Sequence, residues 1–273
     1  MSEKSKQNGM LIFPEFQTLK DELNRMRTEL SMLLLEKDEL QFVVARNIHT
    51  QYMLALGSLE YQAYEAQCAV LRLRRKIELV QAAKNRQEIV DLAEIEKTLD
   101  KEFEEYRQKL DAQIESMNEA IRRSHAPKLT PEETKEFKKM YREIVKHLHP
   151  DMNPHVSDAQ IRLFEHAVQA YKNGDLSTLK TIYEMVAAQQ LPDAPEPDAL
   201  SMLREQHKKT VQLIRTVQQD IAEMKKEYPF TVEELLNDPN RLSAKKAELE
   251  NTKNSYHKMQ KFYAARLEQL LEE

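Results

Sequence analysis

The sequence is most unusual in how little glycine it has: three of 273 residues, against about 7% in an average protein. Glycine supplies the left-handed and strained backbone of tight turns, and the close backbone approach that phosphate-cradling loops need. Three scattered glycines leave no material for a P-loop. Tryptophan is absent and aromatic residues make up 7% of the chain. These shortages predict an all-α protein that carries its apolar surface on helix stripes and has no nucleotide site of its own.

Cysteine and an excess of one charge are also missing. The single cysteine, Cys68, excludes an intramolecular disulfide and any multi-cysteine zinc module. The 41 basic and 46 acidic residues are interspersed, with a net charge of -5, which disfavours general binding to nucleic acid or anionic membranes. The chain has no run of 18 apolar residues, so we expect no transmembrane helix. The short apolar run near the start does not fit a signal peptide. We expect a cytoplasmic protein without a cofactor.

What the chain does have is a series of apolar stripes at helical spacing. The first runs from Phe16 to Val44 with alternating steps of three and four residues, a pattern typical of coiled coils. A second stripe covers 56–80 and a third covers 92–121. The segment "RNIHTQ" (46–51) is a candidate hairpin bend, and a charged gap at 83–87 separates the second and third stripes. We therefore predict two or three long helices folded back in antiparallel fashion.

Breaks in this pattern predict the domain organisation. The segment "QQLPDAPEPD" (189–198) combines three prolines with three acidic residues and is typical of an extended linker. The predicted divisions are a tail at 1–13, a long-helix coiled coil at 14–123, a compact helical module at 124–190, a linker at 191–199 and a C-terminal helical hairpin at 200–273. The stripes fit pairing within one chain or between two copies, so self-association stays open.

The central module contains two helices joined by a sharp corner. Thr130 and Pro131 predict the start of the first helix, and Pro150 predicts its end, because proline cannot continue a helix and pushes His149 towards extended backbone. Ser157 and Gln160 form the sequence pattern of a capping box for the second helix, which Gly174 closes. The first helix combines an apolar face with a stripe of cations, comprising Lys138, Arg142 and Lys146 with Lys139 beside them.

These residues resemble a known family, the J domains of DnaJ-like co-chaperones. The stretch "MYREIVKHLHPDMNP" is similar to the second helix and loop of that family, with an intact His149-Pro150-Asp151, and "LFEHAVQAY" is similar to its third helix. The resemblance covers about residues 124–190. It implies docking on a DnaK-type chaperone and stimulation of its ATP hydrolysis, so the chain itself is not expected to be an enzyme. The implied contact residues are His149, Pro150, Asp151, Lys138, Lys139, Arg142 and Lys146.

The chain departs from the family in its first helix. The usual Tyr-x-x-Leu-Gly signature is replaced by "IESMNEAIRRSHAPKL" (114–129), so the end of the third long helix is expected to substitute for that helix. There is no Gly/Phe-rich segment and no zinc-binding repeat, and the client is unknown.

Two other functions remain alternatives. One is a coiled-coil scaffold with a degenerate, inactive J-like module. The other is metal binding through His147, His149 and His155, which the unfavourable ligand spacing argues against.

Overall fold

The computed structural model describes residues 14–125, 129–153, 156–187 and 199–272, and within these ranges it contains eleven α-helices and no strand. The prediction of an all-α fold is confirmed. The helices are α1 (Pro14–Glu39), α2 (Ala45–Tyr52), α3 (Ser58–Asn85), α4 (Leu92–Glu102), α5 (Glu104–His125), α6 (Pro131–Leu148), α7 (Asp158–Asn173), α8 (Leu176–Ala187), α9 (Ala199–Met224), α10 (Glu233–Asn237) and α11 (Pro239–Glu272). No helix of the described ranges is long and apolar enough to cross a membrane.

The bend predicted at 46–51 does not exist. Two short π-helical segments, Leu40–Val44 and Met53–Gly57, join α1, α2 and α3, so the backbone stays helical from Pro14 to Asn85. A π turn accommodates an extra residue without ending a helix, and "RNIHTQ" contains neither proline nor glycine to end one. The predicted break near 83–87 is present: Gln87 has a φ of 58°, and the Asp91 side chain caps α4.

The described helices fall into two compact units. The first comprises Met1–Ala45 and Lys128–Glu227, and its main elements are α1, α6, α7, α8 and α9. Helices α1 and α9 run parallel, because Glu22 lies 3.6 Å from His207 and Lys37 bonds Asp220 further along both helices. Its core draws apolar side chains from all five helices, including Leu30, Leu34, Tyr141, Ile144, Val145, Phe164, Ala167, Leu179, Ile182, Ile214 and Val217.

The second unit comprises Arg46–Pro127 and Tyr228–Glu273. Helix α3 runs antiparallel to α4 and α5, as the second and third stripes predicted. Helix α11 runs parallel to α3, with Lys253 bonding Gln62 and Arg74 lying over the ring of Tyr263. The two helices expected to form a C-terminal hairpin, α9 and α11, thus find their main partners in α1 and α3. The predicted domain boundaries stay predictions.

The only cysteine lies within the second unit. Cys68 is buried in α3, and this burial raises the pKa of its thiol, with a hydrogen bond to Tyr64 opposing the shift.

Candidate protein-docking site

The helix that carries the predicted site, α6, begins and ends as its sequence indicates. The Thr130 hydroxyl accepts the Glu133 N–H at 3.2 Å, and the Glu133 carboxylate accepts the Thr130 N–H at 2.8 Å, which completes a capping box. The helix stops at Leu148 because His149, before Pro150, has extended backbone (φ -64°, ψ 126°). The predicted box of Ser157 and Gln160 on α7 is also present.

The corner after α6, residues 149–153, is constrained by hydrogen bonds among its own residues. The Nδ1 of His149 accepts the N–H of Asp151 at 3.1 Å, and the imidazole ring lies edge-on to Phe164 at 5.1 Å between centroids. The His149 carbonyl accepts the N–H groups of Met152 and Asn153, both at 3.0 Å. Met152 is buried, whereas Pro150 and Asp151 are exposed. The corner therefore presents a carboxylate to solvent on a constrained loop.

The hydrogen bond at the corner also defines the protonation state of His149. Because Nδ1 accepts the Asp151 N–H, the neutral ring carries its proton on Nε2. Burial lowers the pKa of His149 and the charge of Lys37 acts in the same direction, while the Asp151 carboxylate opposes them. The ring is therefore neutral at physiological pH, and it positions the backbone of Asp151 by hydrogen bonding rather than by charge.

The four predicted cations of α6 are not equivalent. Lys139, Arg142 and Lys146 are three or four residues apart on one exposed face, and none has an ion pair within the described part of the chain. Lys138 lies to one side and its ammonium pairs with the Glu39 carboxylate of α1. Three cations thus remain free for an external partner, and the fourth is engaged internally. We call Lys139, Arg142 and Lys146 the cation stripe.

A second contact from α1 lies beside that ion pair. The hydroxyl of Tyr141, a buried residue in the middle of α6, donates to the Asp38 carboxylate at 2.6 Å. Burial raises the pKa of Asp38 to about 6, although the Tyr141 hydrogen bond and Lys37 act against the shift. Burial, together with this carboxylate, raises the pKa of Tyr141 in turn.

The long helix that packs on α6 was therefore wrongly identified from the sequence. Helix α1 takes the place expected for the end of α5, which belongs to the second unit. Sequence reasoning missed Asp38 and Glu39, since two acidic residues in a charged helix carry no signal of a contact about a hundred residues away.

Aromatic stacking fixes α6 against α7. The Tyr171 ring stacks on that of Tyr141, with 4.0 Å between centroids, and on that of Phe137, at 5.1 Å, with small interplanar angles. Its hydroxyl is buried and has no hydrogen-bond partner among the described residues. Stacked rings with few rotatable bonds give a rigid junction between α6 and α7, towards the ends of these helices that are remote from the corner.

The metal-binding alternative gains nothing from the described part of the chain. His147 lies on α6, 4.0 Å from Glu143, while His149 is committed to the corner. His155 lies outside the described residues. Within those residues, no three side chains of the metal-binding types are grouped to hold an ion.

No protein-family model matches the chain, and no curated protein or solved structure shows significant similarity to it. The J-domain resemblance therefore depends on the residues of the central module alone.

Proposed function

We propose that the central module acts as a J-domain-like unit that docks on a DnaK-type chaperone and stimulates its ATP hydrolysis. The long flanking helices would select the client or the location, or mediate self-association. In this proposal the hydrolysing enzyme is the partner, and the chain itself contributes no catalytic residue and no cofactor. The setting is cytoplasmic, in keeping with a single cysteine that is buried.

The observation that supports the proposal most directly is the exposed corner at the end of the cation stripe. Asp151 is exposed while its backbone N–H is held by His149. A carboxylate presented in this way can form a charge-assisted bond to an arginine of the ATPase, and Pro150 keeps the loop stiff. A loop that is already ordered reduces the entropic cost of docking.

The cation stripe supports the same partner by charge. Lys139, Arg142 and Lys146 project from the face of α6 opposite its buried side. Unpaired surface cations steer an acidic partner and accelerate encounter, and salt weakens such exposed interactions. Docking should therefore be faster at low ionic strength.

The test is the steady-state ATPase rate of a DnaK-type chaperone, measured with and without this protein. We expect the wild-type chain to stimulate hydrolysis, and Asp151→Asn or His149→Gln to abolish the stimulation. Circular dichroism should show unchanged helicity, because both positions lie outside α6 and α7.

A matched control is available on the same helix. Glu136→Gln removes one exposed carboxylate from α6 without touching the corner, so stimulation should not fall. Full stimulation by both corner variants would refute the proposal.

A coiled-coil scaffold with an inactive module is the second candidate. The ion pair between Lys138 and Glu39 favours it, because it occupies one of the four predicted contact cations. This candidate predicts that the wild-type chain stimulates no DnaK-type ATPase but still self-associates, which light scattering would detect.

A further inference from the structure

The C-terminal helix contains an unusual run of charge. Between Asn251 and Leu267 the chain has no Asp or Glu but includes Lys253, Lys258, Lys261 and Arg266. About one residue in six is acidic over the whole sequence, so this segment of α11 has a local excess of positive charge. It is a positively charged stretch on a negatively charged chain.

Two large apolar side chains project from the same stretch. Phe262 is 64% exposed, more than any other aromatic side chain in the described ranges, and Met259, one turn away, is 39% exposed. The Phe262 ring lies edge-on to Tyr263 at 5.4 Å, and the guanidinium of Arg74 on α3 lies 5.8 Å from the Tyr263 ring centroid. Phe262 is therefore a surface side chain that lies beside Tyr263.

The cations around Phe262 have no acidic partners within the described residues. Arg74, Lys258 and Arg266 are exposed and form no ion pair there. Several other cations of the same two helices are paired: Arg72 with Glu96 and Asp100, Arg75 with Glu102, and Lys253 with Glu250. We call Arg74, Lys258, Met259, Phe262 and Arg266 the cationic-aromatic patch.

We propose that the cationic-aromatic patch is a docking site for an acidic, amphipathic segment of another protein. Arginine binds carboxylates with two parallel hydrogen bonds, and an exposed phenylalanine beside it can anchor an apolar side chain of the same segment. Charge complementarity therefore specifies the partner: carboxylates flanking an apolar residue.

The chemistry of the patch favours a protein over a membrane. Helices that lie on membranes bury a long apolar face in the lipid. Here the exposed apolar part of the patch is two side chains, while Leu267 and Leu270 of α11 are already buried against Val80 of α3. A short apolar anchor surrounded by cations therefore suits an acidic peptide segment better than a bilayer.

This docking site is independent of the function proposed for α6, and each can fail without the other. The test uses the full chain and a fluorescein-labelled peptide of about four turns with Leu at helical spacing and Glu between. We expect micromolar binding by anisotropy, weakened by added salt. Phe262→Ala and Arg266→Glu should each weaken binding by about tenfold or more, as for central interface residues.

The control variant is Lys246→Glu, which makes the same charge change as Arg266→Glu at an exposed position of α11 outside residues 251–267. Its affinity for the peptide should be within about twofold of the wild-type affinity, because only a distant charge is altered. Three results would overturn the proposal: no binding of the acidic peptide, binding unaffected by both patch variants, or binding to phosphatidylserine vesicles in preference to the peptide. Helicity by circular dichroism verifies that the variants are folded.

Discussion

Different forces hold the helices together within each of the two units of this chain. In the first, apolar side chains from five helices form one core, which includes the stacked rings of Phe137, Tyr141 and Tyr171. In the second, a small buried apolar cluster comprises Val80, Leu267 and Leu270, with partly buried side chains around it, and α3 is joined to α4 by partly exposed ion pairs. Burial contributes far more stability than exposed ion pairs, so we expect the first unit to be the more stable.

The largest effect should come from removing a buried side chain in the first core. Ile144 is fully buried on α6, and Ile144→Ala should cost about 3–4 kcal/mol, because lost burial and a residual cavity add together. The matched change in the second unit, Leu267→Ala, should cost about 2 kcal/mol, because Leu267 lies in a small cluster and retains 8% exposure.

Urea unfolding combined with hydrogen exchange of α6 and α11 separates the two losses by unit. Equal losses in the two units, or a larger loss for Leu267→Ala, would contradict the comparison.

A smaller effect should appear as a pH dependence confined to the first unit. The pKa of Asp38 is raised to about 6 in the fold, above its ordinary value of 3.8, so the folded state binds this proton more tightly than the unfolded state. The resulting stabilisation is complete below about pH 3.8 and is lost as pH rises through about 6. Between pH 7.5 and pH 5, wild type should gain on the order of 1–2 kcal/mol relative to Asp38→Asn.

Comparing the two proteins at each pH by urea unfolding removes the opposite contribution of His149, whose lowered pKa makes the fold lose stability on acidification. A constant difference between wild type and variant would show that Asp38 is not buried against Tyr141.

The smallest effect should come from the ion pairs of the second unit. Glu96 bonds both Arg72 and Lys76, and these bonds lower the pKa of Glu96. Because the partners are partly exposed, Glu96→Gln should cost less than about 1 kcal/mol. Unfolding in 1 M NaCl should shrink that cost, since salt screens surface pairs. If Glu96→Gln lowered the free energy of unfolding by several kcal/mol and salt did not reduce this loss, the expected difference between the two units would be wrong.

What could be predicted from the sequence is what depends on neighbouring residues. Thr130, Ser157 and Gly174 were each predicted to cap a helix, and each does so through bonds to residues within four positions. The corner at Pro150 follows from the missing N–H and fixed φ of proline. The buried face of α6 follows from the 3.6-residue period.

The rest could not be predicted, because it depends on which distant segments meet. An apolar stripe does not specify its partner, so the parallel packing of α9 on α1 and of α11 on α3 had no signal. The π segments that replace the predicted bend arise where helix register must shift, which the pattern at 46–51 does not encode. The engagement of Lys138 by Glu39 likewise required the packing of α1 on α6.

The buried thiol of Cys68 makes this chain convenient for spectroscopic labelling. Its pKa is raised and its side chain is nearly inaccessible. The thiolate is the nucleophile that attacks maleimide and thiol-reactive nitroxide reagents, so Cys68 would be modified slowly. A cysteine placed at an exposed position would react first, so a fluorophore or spin label could be attached there without first mutating the native residue.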